Sequence, residues 1–330
     1  MTIPSFKILK KNAAERVAAC ENAGKVVLVY SGILTLMAML ITAVNFLLDN
    51  QIAQTGGLSN MGLRTMLSTV QSVLPMIQNV VSMCLAVGYV AAMLRVSRQQ
   101  YTSAQTLRLG FSRFWLLLRC TLLQTGIYIA VSLLSFWASS QIFLLMPGYE
   151  RVLELIAPFS EDPVTAMEAI MASDVYWQLV DAMIPMLLIF AAVYLFICIP
   201  LVYSFRMVNY LIIDKPAMSG VAVLKESRKM MKGHRMRLFR LDISLWWWYL
   251  LSVVLSVIAY GDTILPMAGI SLPFSQTIAY YLFYFLFLVG QFAVTVLLRN
   301  KIEVVYAQVY DAVKPREKQE GVVLGNIFQM

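Results

Sequence analysis

Six stretches of this chain, at about residues 26–48, 73–94, 114–137, 182–205, 243–260 and 277–298, are apolar almost throughout. A bilayer hydrocarbon core is about 30 Å thick and a helix rises about 1.5 Å per residue, so about 20 residues cross it. Lipid offers backbone amides no partner, and a helix satisfies them internally. Each stretch therefore reads as a spanning helix. The fold class expected is all-α: a polytopic integral membrane protein with six transmembrane helices and basic interfacial amphipathic helices. Composition agrees, because 13% charged and 60% hydrophobic residues compare with about 25% charged in soluble domains.

An even number of crossings puts both termini on one side, and the cations say which. Residues 1–25, 95–119, 206–240 and 299–330 hold 24 of the 26 Lys and Arg, leaving Arg64 and Arg151 for the opposite face. By the positive-inside rule both termini are expected in the cytoplasm. The net charge of +8 is thereby assigned to a membrane surface, with no nucleic acid implied. The organisation read from this is an amphipathic cytoplasmic segment at 1–24, one membrane domain at 25–298 and a cytoplasmic tail at 299–330. Within the domain lie an outer loop at 147–181 and a basic cytoplasmic connection at 206–242.

The amino-terminal segment places Phe6, Leu9, Ala13, Val17 and Cys20 at helical spacing among Lys7, Lys10, Lys11 and Arg16, the pattern of a helix lying on a membrane. The next apolar run exceeds the 7–15 residues, roughly, of a signal peptide's core, so it is expected to stay as the first span. The outer loop carries seven carboxylates against Arg151. Within it Asp162 caps and Pro163 opens a short helix with Val164, Met167, Ile170 and Met171 on one face. The acids lack the spacing of a calcium loop.

In the basic connection, Val223, Leu224, Ser227, Met230 and Met231 fall on one helical face, while Lys225, Glu226, Arg228, Lys229 and Lys232 fall on the other. Gly233 supplies the stop. His234, Arg235, Arg237 and Arg240 continue the charge, and Trp246, Trp247, Trp248 and Tyr249 follow as an interfacial girdle. Each cation near an anionic leaflet contributes about 1 kcal/mol. The eight residues Lys225, Arg228, Lys229, Lys232, His234, Arg235, Arg237 and Arg240 are therefore candidate contacts for anionic lipid head groups or a partner. The bland alternative is that they only set orientation.

With Tyr210-Leu-Ile-Ile-Asp-Lys-Pro, Leu224-Lys-Glu-Ser-Arg-Lys-Met-Met-Lys-Gly-His-Arg, Leu238-Phe-Arg-Leu-Asp-Ile-Ser and the Trp that follows, the chain resembles a bacterial integral-membrane family known as "domain of unknown function 975". Tyr306 and Tyr310 look like that family's closing tyrosine-rich segment. The resemblance covers 210–310 best and the first two helices hardly at all. The long outer loop and the triple Trp depart from it. It implies a bacterial plasma membrane protein with several spans and no established activity.

Catalytic inventories are empty. His234 is the one histidine, which rules out His-based metal clusters and leaves a Ser-His-Asp triad hard to assemble. Cys20, Cys84, Cys120 and Cys198 stand singly, as small hydrophobes do. No nucleotide-binding glycine motif occurs. No cofactor is expected, and any energy source would be a partner such as a transport ATPase.

Within the spans the polar residues carry the information. Ser68, Gln71, Ser72, Pro75, Gln78, Asn79 and Ser82 recur down one side of the second helix, and such groups avoid lipid. They should face other helices or a wet cavity, with Gln124, Asn209 and Gln291 as candidate partners. Cys84, Gly88 and Ala92 form a ladder of small residues suited to close packing. Pro185 and Pro200 are expected to bend the fourth span. No acid, Lys or His lies near a midplane, which counts against proton pumping and intramembrane acid–base chemistry. The preferred reading is a non-enzymatic protein that anchors, scaffolds or regulates at the inner leaflet. The alternative is a transporter, or a transport-system subunit for a small solute, lipid or peptide, that uses Gln71, Gln78, Asn79 and Ser82.

Overall fold

The computed structural model describes residues 4–54, 61–159, 170, 173, 175–267, 269–270, 273 and 275–314. Helices are the only regular elements among them. The chain is an all-α polytopic membrane protein. Five helices are long and apolar enough to cross a bilayer, and a sixth crossing is available as a pair bent by 60°. The outer-loop helix expected around Asp162, Pro163, Val164, Met167 and Met171 lies outside the described residues.

Two compact units result, residues 1–117 with 207–330 and residues 118–206. The first is built on α2 (Glu21–Gln54) and α3 (Met61–Ser97), which pack along their lengths. At 34 and 37 residues both outrun the hydrocarbon core. Tyr30 stacks on Tyr89 at 4.5 Å between them. The small-residue ladder does pack closely, but against a short segment and not a spanning helix: a 3-10 turn (Ala104–Arg108) and α4 (Leu109–Ser112). A Cβ on Gly88 would lie 2.2 Å from the Leu107 carbonyl oxygen, and one on Gly110 would lie 1.8 Å from that of Cys84. Backbone meets backbone there, which only glycine permits.

The fifth predicted span differs most from expectation. In place of one helix over 243–260 there are α10 (Arg235–Ile243) and α11 (Trp246–Ala259) with the sharp bend between them, then α12 (Gly261–Met267). At 14 residues α11 is only about 21 Å long. α11 and α12 both pack on α13 (Gln276–Val294), whose start Ser275 caps by accepting from the Ile278 amide. α13 runs through a π-helical turn (Thr295–Arg299) into α14 (Asn300–Val313). The last helix thus continues to Val313, about four turns beyond the expected end.

The basic segments are docked on protein. The Leu9 and Ala13 face of α1 (Phe6–Ala19) is buried, and the helix packs on α14 and α3. α8 (Val208–Asp214) packs on α3, and α9 (Gly220–Met231) packs on α8 with Val223, Leu224, Ser227, Met230 and Met231 buried. The expected apolar faces exist, but they are spent on protein contacts, which leaves little of them to enter acyl chains. Ser219 caps α9 by accepting from the Ala222 amide, and Gly233 ends it at φ +84°, in the left-handed region.

The second unit contains most of α5 (Phe114–Phe143), α6 (Pro147–Ile156) and α7 (Val175–Phe205). α6 packs on α7, and a Cβ on Gly148 would lie 3.4 Å from the Ala182 carbonyl oxygen. Pro185 and Pro200 are accommodated in one continuous helix. Ser204, one turn further on, donates its hydroxyl to the Pro200 carbonyl at 2.6 Å. The broken helix that would mark a binding site is therefore not formed at either proline.

Candidate functional site

Two regions of the first unit gather the polar residues. One is the basic end, where charged and phenolic side chains lock five helices together. Arg98, just past α3, forks onto Asp214 at 3.0 and 2.9 Å and reaches Asp311 at 2.7 Å. Lys314 adds a third cation–carboxylate contact at 3.0 Å on Asp214. Hydrogen bonding to Asp214 raises the Arg98 pKa against the opposing effect of burial, so the guanidinium stays charged. The Tyr210 hydroxyl donates to Glu303 at 2.7 Å and its ring stacks on Tyr310 at 5.0 Å. Tyr306 donates to Asp242. Asn300 accepts from the Tyr89 hydroxyl and donates to the Ala23 carbonyl. Lys10 donates to the Ser244 carbonyl, Arg16 to that of Ser97 and Arg237 to that of Pro4.

This end sorts the cations by role. Lys10, Arg16, Arg98, Arg237 and Lys314 are structural. Lys225, Arg228, Lys229 and Lys232 stand exposed on the outward face of α9, and among the described residues none of them forms an ion pair. Arg240 is exposed, while His234 and Arg235 are half-buried at the start of α10. Arg98 and Glu303 carry no motif and were missed in the sequence, while Asp214 and Asp242 stand inside the family-like stretches but were given no role. The signal that points to them is the stripe Glu303, Tyr306 and Tyr310, spaced by three and four along α14.

The other region is a polar cleft among α2, α3 and α13. One cavity of about 420 Å³ is lined by Asn45, Asp49, Gln71, Gln78, Tyr281 and Tyr284 among others. A second, of about 280 Å³, is lined by Ser31, Gln78, Ser82, Tyr284, Gln291 and Arg299 among others. Gln78 and Tyr284 border both. Asp49 accepts from Gln71 at 2.7 Å and from Tyr281 at 2.6 Å. Ser31 Oγ, Asn45 Oδ1 and Gln291 Oε1 are buried with no hydrogen-bond partner among the described residues.

Three of the four stripe residues therefore share this cleft. Asn79 does not: it is exposed and lines neither cavity. Asn79 directly follows Gln78 and so points about 100° further round a 3.6-residue helix, too far for both to face one neighbour. Ser68 and Ser72 are also exposed and donate to carbonyls of their own helix. Of the expected partners, Gln291 lines the second cavity and Asn209 is exposed. Gln124 belongs to the other unit.

A family model described as "Protein of unknown function (DUF975)" matches residues 25–287. The chain belongs to that family. The match includes the first two long helices, where the resemblance is faintest, and it stops before Tyr306 and Tyr310. DUF975 membership therefore covers both α2 and α3 of the polar cleft and all of α9. No curated protein and no solved structure matches the chain.

Proposed function

We propose that this chain is a non-enzymatic membrane protein that presents a fixed cationic face at the inner leaflet of a bacterial plasma membrane, where anionic lipid head groups bind it. The observation that supports this reading is the division of α9: one face docked on protein, the other carrying Lys225, Arg228, Lys229 and Lys232 without ion-pair partners among the described residues. Four cations held by a rigid helix lose little entropy on meeting a charged surface, and together they contribute about 4 kcal/mol at about 1 kcal/mol each.

The full chain in nanodiscs of phosphatidylcholine, with or without phosphatidylglycerol, provides the test. Acetylation of Lys225, Lys229 and Lys232, followed by mass spectrometry, is expected to slow at least about threefold in the anionic discs. Equal rates would refute the reading. Protection that instead depends on a co-purifying protein would assign the face to a partner.

A second reading, passage of a small polar solute, draws support from the two polar cavities that meet at Gln78 and Tyr284. A transport ATPase as partner belongs to this reading.

A further inference from the structure

We propose that the cleft between α2 and α13 is a binding site for a single anionic phospholipid, with its phosphate on Arg299 and an acyl chain along the apolar groove beyond Leu288. This inference stands apart from the α9 reading, since it concerns other residues and a lipid held between helices.

Arg299 is the first observation. It closes the π-helical turn and lines the 280 Å³ cavity, with its guanidinium 5.0 Å from the Tyr30 ring and 5.4 Å from the Tyr89 ring. Among the described residues no carboxylate pairs with it. π-turns occur often at functional sites because they re-aim a side chain. The guanidinium also hydrogen-bonds the Tyr30 side chain, and its remaining N–H donors keep the fork geometry that matches a phosphate.

The second observation is the pair of unpartnered atoms beside it. Ser31, 3% exposed, and Gln291 both line this cavity, and their Oγ and Oε1 have no protein partner among the described residues. Polar atoms at this depth need a ligand or water, and the ester and hydroxyl groups of a glycerolipid offer both acceptors and donors.

The third is the groove that continues from the cavity. About 430 Å³ in volume, it is walled by Met39, Ala43, Phe46, Leu282 and Phe285, and Leu288 borders both spaces. From Leu288 to Ile278 the groove follows α13 for about 15 Å. A cationic end, a polar middle and an apolar far end follow the order of groups in a phospholipid. A soluble anion would leave the apolar groove unexplained.

Native mass spectrometry of the full chain in neutral detergent, titrated with phosphatidylglycerol and with phosphatidylcholine, tests this. The unmodified chain should retain one phosphatidylglycerol at least about tenfold more tightly than phosphatidylcholine. Arg299→Gln should abolish the preference, and Lys11→Gln should leave it intact. Because Arg299 also rests on Tyr30 and Tyr89, Leu288→Trp gives a second arm: it narrows the groove with the cation in place and should weaken retention of both lipids at least about tenfold. Equal retention of the two lipids, undiminished binding by either site variant, or displacement by millimolar inorganic phosphate would each overturn the proposal, the last by assigning the cavity to a soluble anion.

Discussion

The hydroxyl of Tyr310 donates to the carboxylate of Asp214 at 3.1 Å across 96 positions of sequence, and the same carboxylate receives Arg98 and Lys314. One acid therefore holds the ends of α3, α8 and α14 together. Its side chain is only 10% exposed, so removing it takes an acceptor from Lys314 and Tyr310 in a partly dry site and leaves Arg98 with Asp311 alone. Breaking such a set costs about 3 kcal/mol. Asp214→Ala is expected to lower the apparent melting temperature in detergent by several degrees. Asp311→Ala, at 32% side-chain exposure, should cost less. Equal losses would mean that Asp214 is not the centre of the cluster.

Tyr306→Phe removes one hydroxyl from Asp242 and leaves the ring. A hydrogen bond to a charged acceptor contributes about 1.5–3 kcal/mol, and hydrogen exchange across α10 should accelerate accordingly. Tyr101→Phe, on an exposed ring, should leave those rates unchanged.

Gly110→Ala pushes a methyl into the Cys84 carbonyl, and neither backbone can yield cheaply. A loss of at least about 3 kcal/mol, or failure to accumulate in the membrane, is expected. Gly24→Ala supplies the contrast: nothing lies within 4 Å of its Cβ, and α2 should gain about 1 kcal/mol from alanine's helix propensity. Thermal melts of the two variants should move in opposite directions.

In a background without Cys20, Cys84, Cys120 and Cys198, cysteine placed at Gln71 or Gln78 should react with a water-soluble thiol reagent at least about tenfold faster than cysteine at Asn79, because only hydrated thiolate reacts. Added phosphatidylglycerol should slow Gln78→Cys, which borders the Arg299 cavity, and spare Gln71→Cys. Comparable reactivity at 78 and 79 would mean that the cleft is closed by packing.

What the sequence determined by itself is the class of fold and the pattern of each helix. Apolar runs as long as the bilayer is thick admit only helices, and the 3.6-residue period already assigned Val223, Leu224, Ser227, Met230 and Met231 to one face and the cations to the other. Period and length are properties of a single segment, so a linear reading suffices. What covers a face is a property of two segments. The sequence left α1 and α9 to lie on lipid, and the tertiary structure laid them on α14, α3 and α8. The same limit hid the bend before Trp246, the α4 contact of Gly88 and the turning of Asn79 away from Gln78. It also hid the partners of Arg98 and Arg299: a cation counted toward orientation has the same letter as one bound to an acid 116 positions away. Only the assembled helices decide which charges are consumed in holding the fold and which remain for a ligand.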